Sequence, residues 1–365
     1  MKSSTGEHYV GLDHVRAVAA FLVFSWHFMH VNAGHISPLP GTFDFFAFSL
    51  LAEGHTGVSL FLVLSGYLFA KITEGRRIDY GRFLLARVIR LGPLLALVCA
   101  VVLMRNWMSG GSAAFWNGVE GVLAGVIRPT LPNGGWSITV EFHFYLMFPL
   151  IVLVEKRRPF AALFLLAIGL AVRVGAPLLT DEWSVRDIAY WTIFGRIDQL
   201  VIGVLIARHR AFFAGRNLLA VIAVTSLLLI YAGFDRLGGW YSNEAHPGIW
   251  AYLLTLEGVL YGVLIAWYDG SFRFRNVGLS GLVAKIGDAS YSIYLLHFFV
   301  VFEAARFIDG RIVRLDTFYA AALAGVVSFA VMSLIAWTSY RYFECYWMRF
   351  RKPYLTPYPA AERGR

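Results

Sequence analysis

Residues 12–31 read LDHVRAVAAFLVFSWHFMHV, the first apolar stretch of the chain that is long enough to cross a bilayer as a helix. Arg16 and His27 are two of the ionisable side chains inside it. At about 100° per residue they share one face of the helix, roughly 16 Å apart along its axis. An ionisable group inside a spanning helix costs on the order of 2.5 kcal/mol, so it usually faces a cavity, a partner or a substrate. The pair therefore indicates a site, or the rim of one. The alternative is that Arg16 snorkels toward the headgroups and His27 is a neutral packing residue.

The composition indicates a membrane protein. Of 365 residues, 58% are hydrophobic and 15% are charged, and the mean hydropathy is +0.62. Several stretches approach the roughly 20 apolar residues that span a bilayer, which predicts an all-α, polytopic integral membrane bundle. The N-terminal stretch carries charges and lacks a small-residue cleavage site, so it is expected to be a retained first helix. Cys99 and Cys345 have neither disulfide nor metal spacing, and no metal is expected.

Hydropathy predicts about ten spanning helices, with a re-entrant or interfacial segment at residues 115–127 that is too short to cross. Lys and Arg collect in alternate loops, whereas the first outer loop, residues 31–55, has none. This asymmetry places both termini in the cytoplasm. We therefore predict a multi-pass protein, expected in the cell (inner) membrane, with one membrane domain over residues 1–350 and a basic cytoplasmic tail over 351–365. The expected spans are 12–33, 55–73, 84–105, 136–154, 159–179, 188–207, 217–234, 250–268, 290–308 and 317–340.

The predicted topology lets the depths of buried polar residues be compared. His27 lies in the outer half of helix 1, and Glu141 lies one to two turns below the outer end of helix 4, so the two are expected to meet. A histidine beside a carboxylate makes a general base with an orienting partner. The alternative is that Glu141 is a protonated or paired packing residue, with His143 or His55 nearby.

Two further helices carry polar residues near mid-membrane. Arg196 and Asp198 are two residues apart, so they point to different faces of their helix and a direct pair is disfavoured. Tyr294 and His297 share a face at i, i+3. The alternatives are that they line a polar cavity or that His297 is a hydrogen-bonded packing residue of the core. The sequence contains no phosphate-binding glycine loop, zinc spacing, nucleophile elbow or nucleotide fingerprint. These absences disfavour several enzyme classes, and no feature indicates a nucleic-acid partner.

Five segments of the chain follow one another in a recognisable order. They are residues 11–27 with Arg16 and His27, GVSLFLVLSGY at 57–67, Trp136-Ser137 with Glu141 and Phe144-Tyr145, Arg196-Ile197-Asp198 before Gly203, and YSIYLLH at 291–297. Together they resemble the membrane-bound acyltransferase-3 family of O-acyltransferases, whose Arg-x10-His signature the first segment matches. The likeness runs from about residue 11 to residue 349. Near its end, residues 343–346 read FECY where relatives commonly read Phe-Glu-Lys/Arg-Pro, a departure at the local turn.

The resemblance implies a ten-helix core that moves an acyl group, often acetyl from acetyl-CoA, to a hydroxyl of a carbohydrate or lipid-linked sugar. It implies that Arg16 and His27 are needed for activity. Because the acyl-CoA donor is anionic and cytoplasmic, the inner Arg16 suits donor binding. The outer His27 suits deprotonation of the acceptor, with Glu141 as its catalytic partner. The other motif positions are expected to bind substrate: Asp13, Trp136, Ser137, Tyr145, Arg196, Asp198, Tyr294 and His297.

Two other functions remain open from the sequence. The acceptor is as compatible with a small natural product such as a macrolide as with a glycan, and no residue discriminates between them. A secondary transporter also carries midplane charges, but the expected pair of Gly/Pro-broken helices in matching halves is missing. Without an appended hydrolase-like domain, transfer is expected to be completed within this membrane unit or by a separate partner.

Overall fold

The computed structural model describes residues 8–32, 35–36, 45–157, 162–175, 178, 184–243, 246 and 248–357. These residues form a bundle of α-helices, with two short two-stranded antiparallel ribbons as their only strands. The predicted all-α polytopic fold is confirmed. The helices are α1 Val10–Met29, α2 Ser49–Ala52, α3 Gly57–Thr73, α4 Tyr80–Ala124, α5 Trp136–Arg157, α6 Ala162–Gly175, α7 Val185–Trp191, α8 Ile193–Arg208, α9 Arg210–Phe213, α10 Asn217–Arg236, α11 Ile249–Ser271, α12 Gly278–Asp288, α13 Ser290–Ile308, α14 Phe318–Ser339 and α15 Cys345–Met348.

A helix lies at each of the ten predicted spans, but they differ in how well they suit a bilayer. Within the described ranges, seven helices are long and apolar enough to cross, or eight if α7 and α8, bent by 49°, count as one span. The helix α6 has only 14 residues. The helix α1 is not among the seven, because it carries Asp13, Arg16 and His27. Most residues of α1 are buried against other helices.

The predicted re-entrant segment at 115–127 folds back along α4. The helix breaks at Gly111, whose φ of 64° is open to glycine without strain. Beyond the break, the rings of Trp107 and Phe115 are 5.7 Å apart, and a Cβ on Gly118 would lie 2.8 Å from Leu103. The imidazole of His143 then contacts the Val126 carbonyl at 2.9 Å. Residues 115–127 thus form the second arm of a hairpin and return toward α5, as expected of a re-entrant segment.

The centre of the bundle is a close crossing of α3 and α8. A Cβ on Gly66 would lie 2.0 Å from the Leu200 carbonyl oxygen, and one on Gly203 would lie 2.1 Å from the Val63 carbonyl oxygen. Small residues let two helix backbones approach in this way. The helix α1 packs against α3 and α12, so the residues of α1 face the middle of the molecule.

One of the two ribbons joins the end of the described chain to the segment just before α4. Strand β1, Val31–Asn32, pairs with β2, His35–Ile36; strand β3, Arg76–Ile78, pairs with β4, Leu355–Pro357. Tyr354 precedes β4, is buried, and accepts a hydrogen bond from Arg87 at 3.1 Å. The first part of the predicted basic tail thus folds onto α4, while residues 358–365 lie outside the described residues.

Candidate functional site

Two cavities contain most of the residues that the sequence singled out. The first, called here the arginine cavity, has a volume of about 100 Å³ and is lined by Arg16, Arg87 and Arg90 together with Glu141. The second, called here the tryptophan cavity, has a volume of about 230 Å³ and contains His27. Val58 and Tyr294 line both cavities, so the two spaces are neighbours in the bundle. Arg16 and His27, predicted to share a face of α1, thus serve different cavities.

Arg16 is held in place from its own helix. Its guanidinium is paired with the carboxylate of Asp13, one turn earlier. Asp13 also lies 2.8 Å from His8. The carboxylate predicted to bind substrate is therefore engaged by protein partners, and its visible effect is to orient Arg16.

Arg87 and Arg90 were missed as site residues, because the sequence analysis counted them as topology signals. They are one turn apart on α4 and both line the arginine cavity. Arg90 is close enough to Glu141 and Glu344 for electrostatic attraction. The sequence did contain an indication of their role. Both arginines fall inside the predicted span 84–105, and a charged residue inside a span usually has a function there.

Glu141 is the acidic group of the arginine cavity. Its Oε1 accepts hydrogen bonds from Ser65 at 2.9 Å and from Tyr145, one turn along α5. Ser137, one turn in the other direction, donates to the Tyr294 hydroxyl at 2.8 Å. The structure thus brings together Ser137, Glu141, Tyr145 and Tyr294, and the catalytic and substrate-binding roles expected of them stay predictions.

The expected pair of His27 and Glu141 is not formed, and that part of the prediction is wrong. His27 turns its Nδ1 toward the Val23 carbonyl at 2.8 Å and toward His297 Nε2 at 3.3 Å. Glu141 instead faces Ser65 of α3. The side chains of the two residues face different neighbours, because rotation of each helix about its axis, which hydropathy does not fix, decides which neighbour a side chain meets.

The tryptophan cavity is dominated by aromatic rings. Most of the rings that line it were not predicted as site residues, among them Trp26 and His55. The buried indole N–H of Trp26 has no hydrogen-bond partner in the described part of the chain. Other rings of the cavity are Trp136, Tyr190, Trp191, Trp240, Tyr294 and Phe298.

A histidine does lie beside a buried glutamate, at a place that the sequence did not indicate. His55 Nε2 lies 3.0 Å from Glu53 Oε2. The backbone N–H of Trp240 donates to the same carboxyl group at 3.2 Å. Burial raises the pKa of Glu53 to about 8. The sequence offered only the spacing of two residues just before α3, which is too common to identify a pair.

Arg196 and Asp198 have separate partners, as their two-residue spacing predicted. Arg196 donates to Ser59 at 2.7 Å, and Asp198 accepts from Thr255 at 2.5 Å and is paired with Arg173. Neither is among the residues that line the two cavities. Their contacts join α8 to α3, α6 and α11, and the substrate-binding role predicted for them stays a prediction.

Comparison with known proteins gives one family and several distant relatives. A family model described as an acyltransferase domain matches residues 9–337. O-acetyltransferase OatA of Staphylococcus aureus is 25% identical over 370 residues, covering 92% of this chain and 56% of the relative. Exopolysaccharide production protein ExoZ of Rhizobium meliloti is 29% identical over 301 residues, covering 75% and 85%.

A third relative, acyltransferase MdmB of Streptomyces mycarofaciens, is 23% identical over 308 residues, covering 77% of this chain and 76% of the relative. The chain spans only a little over half the length of OatA. No solved structure matches the chain.

Proposed function

Because the chain belongs to the acyltransferase-3 family, we propose that it is a membrane O-acyltransferase that moves an acyl group from an acyl-CoA to a hydroxyl of a carbohydrate-containing acceptor. Acetyl is the expected acyl group. One observation carries the proposal: a cavity lined by three arginines adjoins a cavity lined by aromatic rings and two histidines. The arginine cavity suits an anionic acyl donor, and the tryptophan cavity suits an acceptor that carries its hydroxyl groups on a sugar ring.

The arginine cavity supports donor binding. Guanidinium groups recognise phosphate oxygens with two parallel hydrogen bonds, and a CoA ester carries several phosphates. Arg16 is oriented by Asp13 and Arg87 by Tyr354, so both side chains have lost part of their freedom before a ligand arrives. Such pre-organisation lowers the entropy cost of binding.

The tryptophan cavity supports acceptor binding. The C–H faces of a sugar ring are apolar and pack against indole and phenol rings, while its hydroxyls need polar partners. The unpaired indole N–H of Trp26 and the imidazole of His27 offer such partners. A relative named for exopolysaccharide production agrees with a carbohydrate acceptor.

His27 is the proposed general base. Its Nδ1 contacts the Val23 carbonyl, which can only accept a hydrogen bond, so the lone pair of the neutral ring is at Nε2. In the reaction Nε2 takes the proton of the acceptor hydroxyl while the oxygen attacks the thioester carbonyl. The carbon–sulfur bond then breaks, and the CoA thiolate leaves with that proton. General-base catalysis contributes typically 10²–10⁴-fold.

The test is transfer of radiolabelled acetyl from acetyl-CoA into the glycan and small-molecule fractions of membranes that carry the protein. We expect label in the glycan fraction, reduced about a hundredfold or more by His27→Ala. His143→Ala is the matched control, because His143 is a half-buried imidazole outside both cavities whose contact is the Val126 carbonyl; it should retain transfer.

Three results would contradict the proposal in different ways. Label only in the small-molecule fraction would replace the carbohydrate acceptor by a natural product such as a macrolide. Undiminished label in His27→Ala would remove His27 as the base. No transfer from acetyl-CoA or longer acyl-CoA thioesters would overturn the acyltransferase itself and leave the secondary transporter as the alternative.

A further inference from the structure

We infer that His297 is the positioning residue of His27 and takes the place that a carboxylate holds in a histidine–carboxylate pair. The inference rests on the proposed function, because it assigns a partner to the proposed base. It also gives His297 a different role from the substrate binding that the family motif suggested.

The two imidazoles are in direct contact across the bundle. His27 lies on α1 and His297 on α13, which pack against each other. The distance between His27 Nδ1 and His297 Nε2 is 3.3 Å, and the ring centroids are 4.8 Å apart with the planes at 60°. His297 is 1% exposed, so its position is fixed by packing and not by solvent.

The remaining contacts fix where the protons are. His297 Nδ1 is 2.6 Å from the Tyr294 carbonyl oxygen. A carbonyl only accepts, so Nδ1 carries the hydrogen and Nε2 of the neutral ring carries a lone pair. By the same argument His27 Nδ1 carries a hydrogen, because it faces the Val23 carbonyl at 2.8 Å. That hydrogen therefore lies between two acceptors, the Val23 carbonyl and the lone pair of His297.

This arrangement leaves His27 in the state that a base requires. Its Nε2 has the lone pair, and its Nδ1–H is held from two directions, which sets both the tautomer and the angle of the ring. When Nε2 takes a proton from the acceptor hydroxyl, the ring becomes cationic in a buried place. The lone pair of His297 then faces the hydrogen of the cation and stabilises it.

No carboxylate in the described chain takes this role. Glu141 is engaged by Ser65 and Tyr145, and Glu53 by His55 and the Trp240 backbone. The hydrogen bonds of His27 are to Val23 and His297. A neutral imidazole orients the base without adding a second buried charge to the site.

The first test separates positioning from substrate binding by steady-state kinetics with acetyl-CoA and the acceptor fraction that takes up label. His297→Leu removes the acceptor atom, whereas His297→Gln keeps a carbonyl oxygen in reach of His27. We expect kcat to fall about a hundredfold in His297→Leu, to recover at least tenfold in His297→Gln, and KM for both substrates to stay within about twofold. His143→Leu is the control for loss of an imidazole elsewhere.

Two kinetic results would overturn the inference. A rise in KM with unchanged kcat would make His297 a substrate-binding residue. An unchanged kcat in His297→Leu would show that Val23 alone suffices. If His297→Leu fails to fold, His297→Gln still decides, since a purely structural role predicts no difference in kcat between a folded Gln variant and a folded Asn variant that places its carbonyl short of His27.

The second test does not depend on activity. Histidine ring nitrogens labelled with ¹⁵N report by NMR which nitrogen carries the hydrogen, and the His27→Gln and His297→Gln variants assign the signals. We expect both residues protonated at Nδ1 only, and a change in the His27 Nδ1 signal in His297→Leu. A His27 hydrogen at Nε2 overturns the inference even if the protein transfers acetyl. The expected tautomers in a protein that transfers no acyl group would overturn the proposed function instead.

Discussion

At the scale of single residues, Glu53 is a carboxyl group that the fold keeps neutral. It is 4% exposed and contacts His55 and the backbone of Trp240. Burial raises its pKa from 4.5 to about 8. The protonated carboxyl group can share its hydrogen with His55, which lines the tryptophan cavity.

The shift makes a prediction about stability and pH. Below about pH 4.5 Glu53 is protonated in both the folded and the unfolded protein, and its contribution to the free energy of unfolding is largest. As the pH rises toward 8 the unfolded state ionises first, so the free energy of unfolding falls, by on the order of a few kcal/mol. We expect Glu53→Gln to lose this part of the pH dependence, measured as the melting temperature in detergent at pH 5 and pH 9.

The control for this experiment is Glu303→Gln, a substitution of an exposed glutamate that pairs with Arg306. It should follow the wild-type pH profile. The contrary result is a melting temperature that falls by the same amount between pH 5 and pH 9 in Glu53→Gln and in the wild type. That result would mean that Glu53 is ionised in the folded protein, with its burial compensated by groups other than His55 and the Trp240 backbone.

At the scale of elements, the close crossing of α3 and α8 positions α3, which contributes lining residues to both cavities. Val58 and Ser65 lie on α3, and Gly66 of the same helix rests on the backbone of α8. Gly66 and Gly203 both lie within family motifs of the sequence. A glycine inside a helix, however, is equally expected to lower the stability of that helix. Only the packed structure shows that the missing Cβ is what lets the helices touch.

Gly66→Ala is expected to destabilise the protein by about 1–3 kcal/mol, because overpacking a close contact forces the helices apart. Gly233→Ala is the matched control, since a Cβ at Gly233 on α10 meets no atom within 4 Å; it should leave stability unchanged or raise it slightly. Thermal unfolding in detergent measures both. Equal melting temperatures for the two variants would mean that the crossing relaxes without cost.

At the scale of the whole molecule, the tryptophan cavity is assembled from distant parts of the chain. Trp26 comes from α1, Trp136 from the start of α5, Trp191 from the end of α7, and Trp240 from the short 3-10 helix Gly239–Asn243. No local pattern links them, because each lies at the end of a different element. Their convergence results from the way in which the helices pack.

The cavity predicts a selective effect on acceptor binding. Trp240→Ala should raise KM for the acceptor about three- to tenfold, which corresponds to an aromatic contact of about 0.5–1.5 kcal/mol. KM for acetyl-CoA should change little, because Trp240 does not line the arginine cavity. Trp347→Ala, at an exposed tryptophan on α15, is the control. A rise confined to KM for acetyl-CoA would exchange the roles assigned to the two cavities.

By itself the sequence determined the fold class, the positions of the helices and the family, because apolar run length, charge in loops and motif order are local properties of the chain. It also placed Arg16 and His27 on one helix face, since helical periodicity fixes spacing along a single helix. It missed Arg87 and Arg90, and it assigned His27 the wrong partner.

Only the tertiary structure decided which groups meet between helices. His27 and His297 are 270 residues apart and touch, whereas Glu141, at a matching predicted depth, faces another helix. The reason is physical: hydropathy sets how deep a residue lies, but the rotation of each helix and the close approaches at glycines set which way its side chain points. Contacts across a bundle depend on both.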